Sequence, residues 1–194
     1  MLRKENKTLL DRITTKGFVV VMGMVFVIVY ILSNTILESH LMTQTNGNTF
    51  VEANIFYASK LGDILQAYGE IGRTYYVRLL ILFDFIFPLQ YSLFFASCLI
   101  LLLKKLASIS LKRQKTLLLL GGILCLTDWL ENIFIIIAIH NFPEIPGAIP
   151  LLAQTMTLAK AALTIAFLIA ILISAVMLCV NKIKKPSRQR SDSV

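Results

Sequence analysis

The sequence predicts an all-α, polytopic membrane protein: four transmembrane helices in a bundle plus one amphipathic helix on the outer surface. Three observations carry that prediction. The chain is 57% hydrophobic and only 15% charged, where a soluble domain of this size carries about 25% charged residues. Its apolar residues gather into four runs, each long enough to cross a hydrocarbon core roughly 30 Å thick. Fifteen of its nineteen Lys and Arg residues fall into three blocks between and beyond those runs.

The basic residues set the expected orientation. Arg3, Lys4, Lys7, Arg12 and Lys16 precede the first run. Lys104, Lys105, Lys112, Arg113 and Lys115 separate the second from the third, and Lys182, Lys184, Lys185, Arg188 and Arg190 follow the last. The other two connections are poor in them, which is the positive-inside pattern. It places both termini in the cytoplasm and the protein in the cell (inner) membrane as a multi-pass protein. The net charge of +8 is thus a topology signal. The partner it implies is the lipid bilayer with its anionic head groups, not nucleic acid.

The first span is expected over residues 17–37, uncharged until Glu38, with Ser33, Asn34 and Thr35 closing it at the interface. After the polar stretch 43–49, residues 50–68 read as a non-spanning amphipathic helix. Phe50, Ala53, Tyr57, Leu61, Ile64, Leu65 and Tyr68 recur at steps of three and four, and Gly69 and Gly72 give stop signals. It is expected to lie on the outer surface or to cap the bundle. Spans over 74–103, 116–139 and 151–180 follow, the last two joined by a turn rich in Pro and Gly. Residues 1–181 form a single membrane domain, and 182–194 read as a disordered basic cytoplasmic tail.

Ionisable groups interrupt three of these runs at one depth. At 1.5 Å per residue, Asp84 lies roughly 16 Å along its helix from Arg73, Asp128 and Glu131 roughly 18 and 13 Å inward from His140, and Lys160 roughly 15 Å from Pro150. Each Asp or Lys at a helix centre costs about 2.5–3.5 kcal/mol, so four of them facing lipid would cost on the order of 10 kcal/mol. They are therefore expected to face one another near mid-membrane. Lys160 pairs with Asp84 or Asp128, and Asn132 and Thr157 fill hydrogen bonds. Three carboxylates against one amine leave a surplus of negative charge, so one carboxyl is expected to be protonated at neutral pH, or an arginine to join. Arg73, on the face of Asp84, is expected to line an access path. Pro88 has no N–H for the Asp84 carbonyl, which leaves that acceptor open beside the carboxylate, and Tyr91 continues the face.

The series Gly72-Arg73-Thr74-Tyr75-Tyr76, Asp84-Phe85-Ile86-Phe87-Pro88-Leu89-Gln90-Tyr91, Asp128-Trp129-Leu130-Glu131-Asn132 and Thr157-Leu158-Ala159-Lys160 resembles a group of small bacterial four-helix membrane proteins. They carry G-R-x-x-Y, D-x-x-F-P-x-x-Y, D-x-x-E-N and T-x-x-K in that order. The resemblance, over Gly72 to Lys160, supports the choice of residues and implies no reaction. In layout alone the chain is also similar to the emopamil-binding and sterol-isomerase type of bundle, which keeps acidic side chains inside.

Catalytic candidates are thus Asp84, Asp128, Glu131 and Lys160, and ligand-binding candidates Arg73, Tyr91, Asn132 and Thr157. No cofactor or metal site is expected, because His40 and His140 lack ligand spacing within one helix. Three function classes fit. The favoured one is a site that binds a small lipophilic or lipid-derived molecule, or acts on it by acid–base chemistry. A proton- or cation-coupled transporter is the second; with four helices it would have to work as a homo-oligomer. A structural subunit locked in register by the polar network is the third.

Overall fold

The structure, a computed structural model, describes residues 8–54 and 56–189, with side chains up to position 183. The first basic block's Arg3, Lys4 and Lys7 therefore lie outside the described residues, as do 190–194. Among the described residues every regular element is helical. A short α1 (Leu9–Ile13) leads into α2 (Lys16–Leu32), a π-helical turn (Ser33–Leu37) and α3 (Glu38–Gln44). Two 3₁₀ turns (Val51–Ala53 and Ala58–Lys60) precede α4 (Leu61–Leu82); α5 (Phe87–Leu106), α6 (Leu111–His140) and α7 (Ala148–Gln189) complete the chain. Four helical stretches are long and apolar enough to cross a membrane: Lys16–Gln44, Phe87–Leu106, Leu111–His140 and Ala148–Ile183.

Side chains cap the heads of α2 and α6. The Thr15 hydroxyl accepts from the Phe18 N–H at the head of α2, and the Ser110 hydroxyl from the Arg113 N–H at the head of α6. These bonds satisfy N–H groups that have no partner within the helix. At the basic end of the bundle the Lys104 ammonium donates to the Thr14 hydroxyl at 2.9 Å, tying the end of α5 to the start of α2.

The expected boundaries change in four places. The first run does not close at position 37. Asn34 and Thr35 hydrogen-bond back to the carbonyls of Tyr30 and Ile31. Such back-bonding competes with the backbone ladder, and the helix widens into the π turn and continues to Gln44. Before Leu61 the described residues of the expected amphipathic helix form no α-helix, only the two 3₁₀ turns. Their N–H groups find side chains instead: Val51 donates to the Tyr76 hydroxyl, Ala58 to Gln154 Oε1 and Phe56 to Asn54 Oδ1.

The helix that does form begins at Leu61 and turns at Gly69, whose φ of 65° is left-handed. That geometry suits a residue without a side chain. Tyr57, Leu61, Leu65 and Tyr68 are fully buried against α6 and α7, so this segment is not an amphipathic helix lying on a surface.

The second expected span is two helices. α4 ends at Leu82, and α5 restarts at Phe87 with Pro88 in its first turn, where its missing N–H does no harm. Finally, α7 runs on to Gln189 where a disordered tail was expected, because lengthening an existing helix needs no new nucleus.

α5, α6 and α7 pack closely on one another, whereas α2 leans on α5. Val19 is the one buried residue of α2, and its exposed Val20, Met24, Ile28 and Ile31 match the apolar exterior of α7. Two apolar layers fill the interior. Leu41, Tyr57, Leu61, Leu65, Tyr76, Leu80, Ile135 and Ala153 form the layer at the far end. Tyr91, Phe95, Leu99, Leu124 and Phe167 form the one toward the basic end. The polar residues lie between them.

Candidate functional site

α6 supplies the framework. Asp128, Glu131 and Asn132, three and four residues apart, share one helical face, and that face is buried: Asp128 is 7% exposed, Glu131 0% and Asn132 2%. α7 places Lys160 opposite. Its ammonium lies 2.5 Å from Glu131 Oε2 and 3.3 Å from Asp128 Oδ1. One turn earlier on α7, the Thr157 hydroxyl donates to Glu131 Oε1 at 2.6 Å. From α5, the Tyr91 hydroxyl donates to Asp128 Oδ2 at 2.6 Å. The Tyr57 hydroxyl, from the segment over the far end, lies 3.1 Å from Thr157 Oγ1. Burial pushes the Tyr57 phenol up, so it stays neutral. One connected network thus runs from Tyr57 through Thr157, Glu131, Lys160 and Asp128 to Tyr91.

The break between α4 and α5 is fastened to the same face of α6. Asn132 Nδ2 donates to the Asp84 carbonyl at 3.1 Å and Trp129 Nε1 to the Phe85 carbonyl at 2.9 Å. The carbonyl expected to stay open beside Pro88 is therefore taken by Asn132. These bonds hold the Asp84 carboxylate beside Asp128 and Lys160, and all three line one cavity. The expected alternative, Lys160 paired with Asp84, is not formed; the ammonium lies between Asp128 and Glu131. The Asp84 carboxylate makes no hydrogen bond or ion pair among the described residues.

That cavity holds about 270 Å³. Beyond Asp84, Asp128 and Lys160, its wall is completed by Tyr30, Ser33, Asn34 and Glu38 from the first helical stretch, Phe50, Glu52 and Ala53 from the far-end segment, and Phe87 from α5. The Tyr76 hydroxyl donates to Glu52 Oε2 at 2.6 Å. Its position is off-centre. Lys160 is roughly 33 Å along α7 from Lys182 but roughly 15 Å from Pro150, so the cavity lies in the half of the bundle away from the basic end.

Seven of the eight sequence candidates fall in or against this network: Asp84, Asp128, Glu131, Lys160, Tyr91, Asn132 and Thr157. Arg73 does not. Its guanidinium donates to the Leu65 carbonyl at 2.8 Å and stacks over the Phe142 ring at 4.3 Å. It lines a separate cavity between α4 and α6, so the expected arginine does not join the cluster. Sequence reasoning passed over Glu52, Glu38, Ser33, Asn34, Tyr57 and Tyr76. Of these, Tyr76 belonged to a motif, as the last residue of G-R-x-x-Y, while Tyr57 showed only as part of an apolar periodicity and Ser33 and Asn34 only as polar residues at the end of a span. Ser33 and Asn34 are not interfacial closers of a helix but part of the cavity wall, where a π turn is a recurrent feature of functional sites. His40 packs edge-on against Tyr75, and among the described residues no three His, Cys, Asp or Glu side chains gather as a metal-binding group.

Chemically, the cavity offers one ammonium anchored by two carboxylates, a further carboxylate (Asp84) without a partner among the described residues, and Glu52 and Glu38 on its wall. Four carboxylates (Glu38, Glu52, Asp84 and Asp128) line it, against one ammonium, so the lining is rich in acceptors. Comparison with protein-family models, with curated proteins and with solved structures finds no match.

Proposed function

We propose that this is a multi-pass membrane protein, both termini cytoplasmic, that binds a small lipophilic molecule in the cavity between its first helix and the α4–α5 break and acts on it by acid–base chemistry. One observation supports this above the others. A cavity walled in part by Tyr30, Phe50 and Phe87 contains a carboxylate, Asp84, that has no hydrogen-bond or ion-pair partner among the described residues, beside Lys160, whose ammonium lies between Asp128 and Glu131. A network serving only to lock helices in register would pair its charges and leave no space. At about 270 Å³ the volume falls just below that of drug-sized ligand sites, which run roughly 300–1,000 Å³. It suits the polar head and first carbons of an amphiphile whose remainder lies among the lipid tails.

The acceptor-rich lining calls for a head group that brings donors, a hydroxyl or an amine. Asp84 is the proton acceptor on this reading. Lys160, held by Asp128 and Glu131, is a fixed positive charge on the opposite side that stabilises negative charge on the bound molecule, and Tyr91, Thr157 and Asn132 position the three acidic groups. Access is sideways, past α2, which belongs to the least buried of the four membrane-length stretches. Transport across the membrane has less support, since Tyr91, Phe95, Leu99, Leu124 and Phe167 close the bundle toward the basic end.

The test is extraction. Protein purified in mild detergent is extracted with organic solvent, and the extract is analysed by mass spectrometry beside Asp84→Asn and a control at exposed Leu119. A lipophile present in wild type and the control, and lost from folded Asp84→Asn, is expected. A species equally abundant in all three would sink the proposal.

A further inference from the structure

A second cavity, of about 550 Å³, opens between α4 and α6 and is lined by Arg73, Arg78 and His140. We infer that it is a binding site for the head group of an anionic phospholipid, with the phosphodiester held by Arg73 and Arg78. The inference rests on the membrane reading above and is independent of what occupies the first cavity.

Arg78 interrupts the apolar run from Tyr75 to Leu82. It is exposed and makes no hydrogen bond or ion pair among the described residues. A lone guanidinium on a greasy face is costly at membrane depth and needs either a partner or a route to water. Arg73 is held ready: one N–H is fixed on the Leu65 carbonyl and its plane lies over Phe142, which leaves most of its five donors free. Two guanidiniums on one cavity match the paired oxygens of a phosphate, which arginine binds bidentately.

The Thr74 hydroxyl and the His140 ring complete the polar rim. Glu70, also on the rim, is the one carboxylate there, so the two arginines outweigh it. The floor is apolar, formed by Val77, Ile136 and Ile139. One turn farther toward the middle of the bundle, exposed Ile81 and Ile133 continue the track an acyl chain would follow. Depth agrees. Arg78 and Arg73 lie roughly 9 and 16 Å along the chain from Asp84 toward the far end, where hydrocarbon gives way to head groups.

The experiment reconstitutes the full chain in phosphatidylcholine vesicles with and without 20% phosphatidylglycerol, then measures the phospholipid retained after a detergent wash. Flotation with the vesicles comes first. A chain that floats with neither composition overturns the membrane reading and this inference with it. Wild type is expected to retain phosphatidylglycerol in preference to phosphatidylcholine. Arg78→Gln should lower that preference at least several-fold with an unchanged melting temperature, and Arg78→Lys should lower it partly. Millimolar inorganic phosphate should not displace the lipid. The inference is overturned if Arg78→Gln retains as much as wild type, if free phosphate competes, or if the preference is instead lost on replacing Lys112, Arg113 and Lys115 at the basic end.

Discussion

Neutralising Glu131 should cost stability and neutralising Asp84 should not, although both remove one carboxylate from one cluster. Glu131 is wholly buried; its two oxygens meet the Lys160 ammonium at 2.5 Å and the Thr157 hydroxyl at 2.6 Å. In Glu131→Gln an amide oxygen still serves Thr157, but the amide nitrogen then faces an ammonium. Breaking a buried pair costs about 3–5 kcal/mol. Here the loss is smaller, because Lys160 keeps Asp128 at 3.3 Å and is 20% exposed; about 1–3 kcal/mol is expected.

Asp84→Asn loses no bond made by the carboxylate and relieves repulsion from neighbouring Asp128, so its effect should lie within about 0.5 kcal/mol of zero or be stabilising. Both variants can be unfolded in detergent by heat or denaturant and followed by the reactivity of Cys125, a buried thiol, toward a fluorogenic maleimide. Exposed Cys179 gives the baseline. The reasoning fails if Asp84→Asn destabilises as much as Glu131→Gln, or if Glu131→Gln is neutral.

Three further outcomes follow from the packing. Asn132→Leu strips the Asp84 carbonyl of its donor and should cost about 1–2 kcal/mol in the same unfolding assay; an unchanged midpoint would show that the break does not depend on α6. Gly72→Ala places a methyl carbon 2.8 Å from Thr45 Cγ2 and 2.9 Å from the Gln44 carbonyl oxygen. A backbone atom cannot step aside cheaply, so a loss of about 1–3 kcal/mol is expected, and a neutral result would contradict the contact between α3 and α4. Tyr76→Phe removes the hydroxyl that joins the Val51 N–H to Glu52. It should speed tryptic cleavage at Lys60 severalfold, and unaltered cleavage would mean the 50–60 segment is held by other means.

The legibility of this molecule in its sequence follows the range of the interactions. Uninterrupted apolar runs report their own length, so four long helices could be read directly. The spacing of Asp128, Glu131 and Asn132 on α6, and of Thr157 and Lys160 on α7, is likewise local and puts each set on one face. Contacts between segments were harder. The periodicity of residues 50–68 suits a helix as well as it suits Tyr57 and Leu61 anchoring an irregular cap. What decides is the reach of Gln154 and Tyr76 from other helices to the N–H groups of Ala58 and Val51. Glu52 and Glu38 carried no site signal because nothing near them in sequence reveals that the chain brings them to the cavity of Asp84. Pro88 marked a disturbance, but whether it bends one helix or starts another depends on Asn132 and Trp129 receiving the carbonyls of Asp84 and Phe85. Arg73 was misplaced for a related reason. The Leu65 carbonyl and the Phe142 ring hold its guanidinium in a separate cavity, and the spacing from Arg73 to Asp84 reveals neither contact.

The most direct measurement is an experimental density map of the protein in lipid nanodiscs at a resolution that shows side chains. An elongated density inside the first cavity, with its polar end against Asp84 and Lys160 and its tail passing α2, is the predicted result. A cavity closed by α2 settling onto α5, with Asp84 turned to a protein partner, would contradict it.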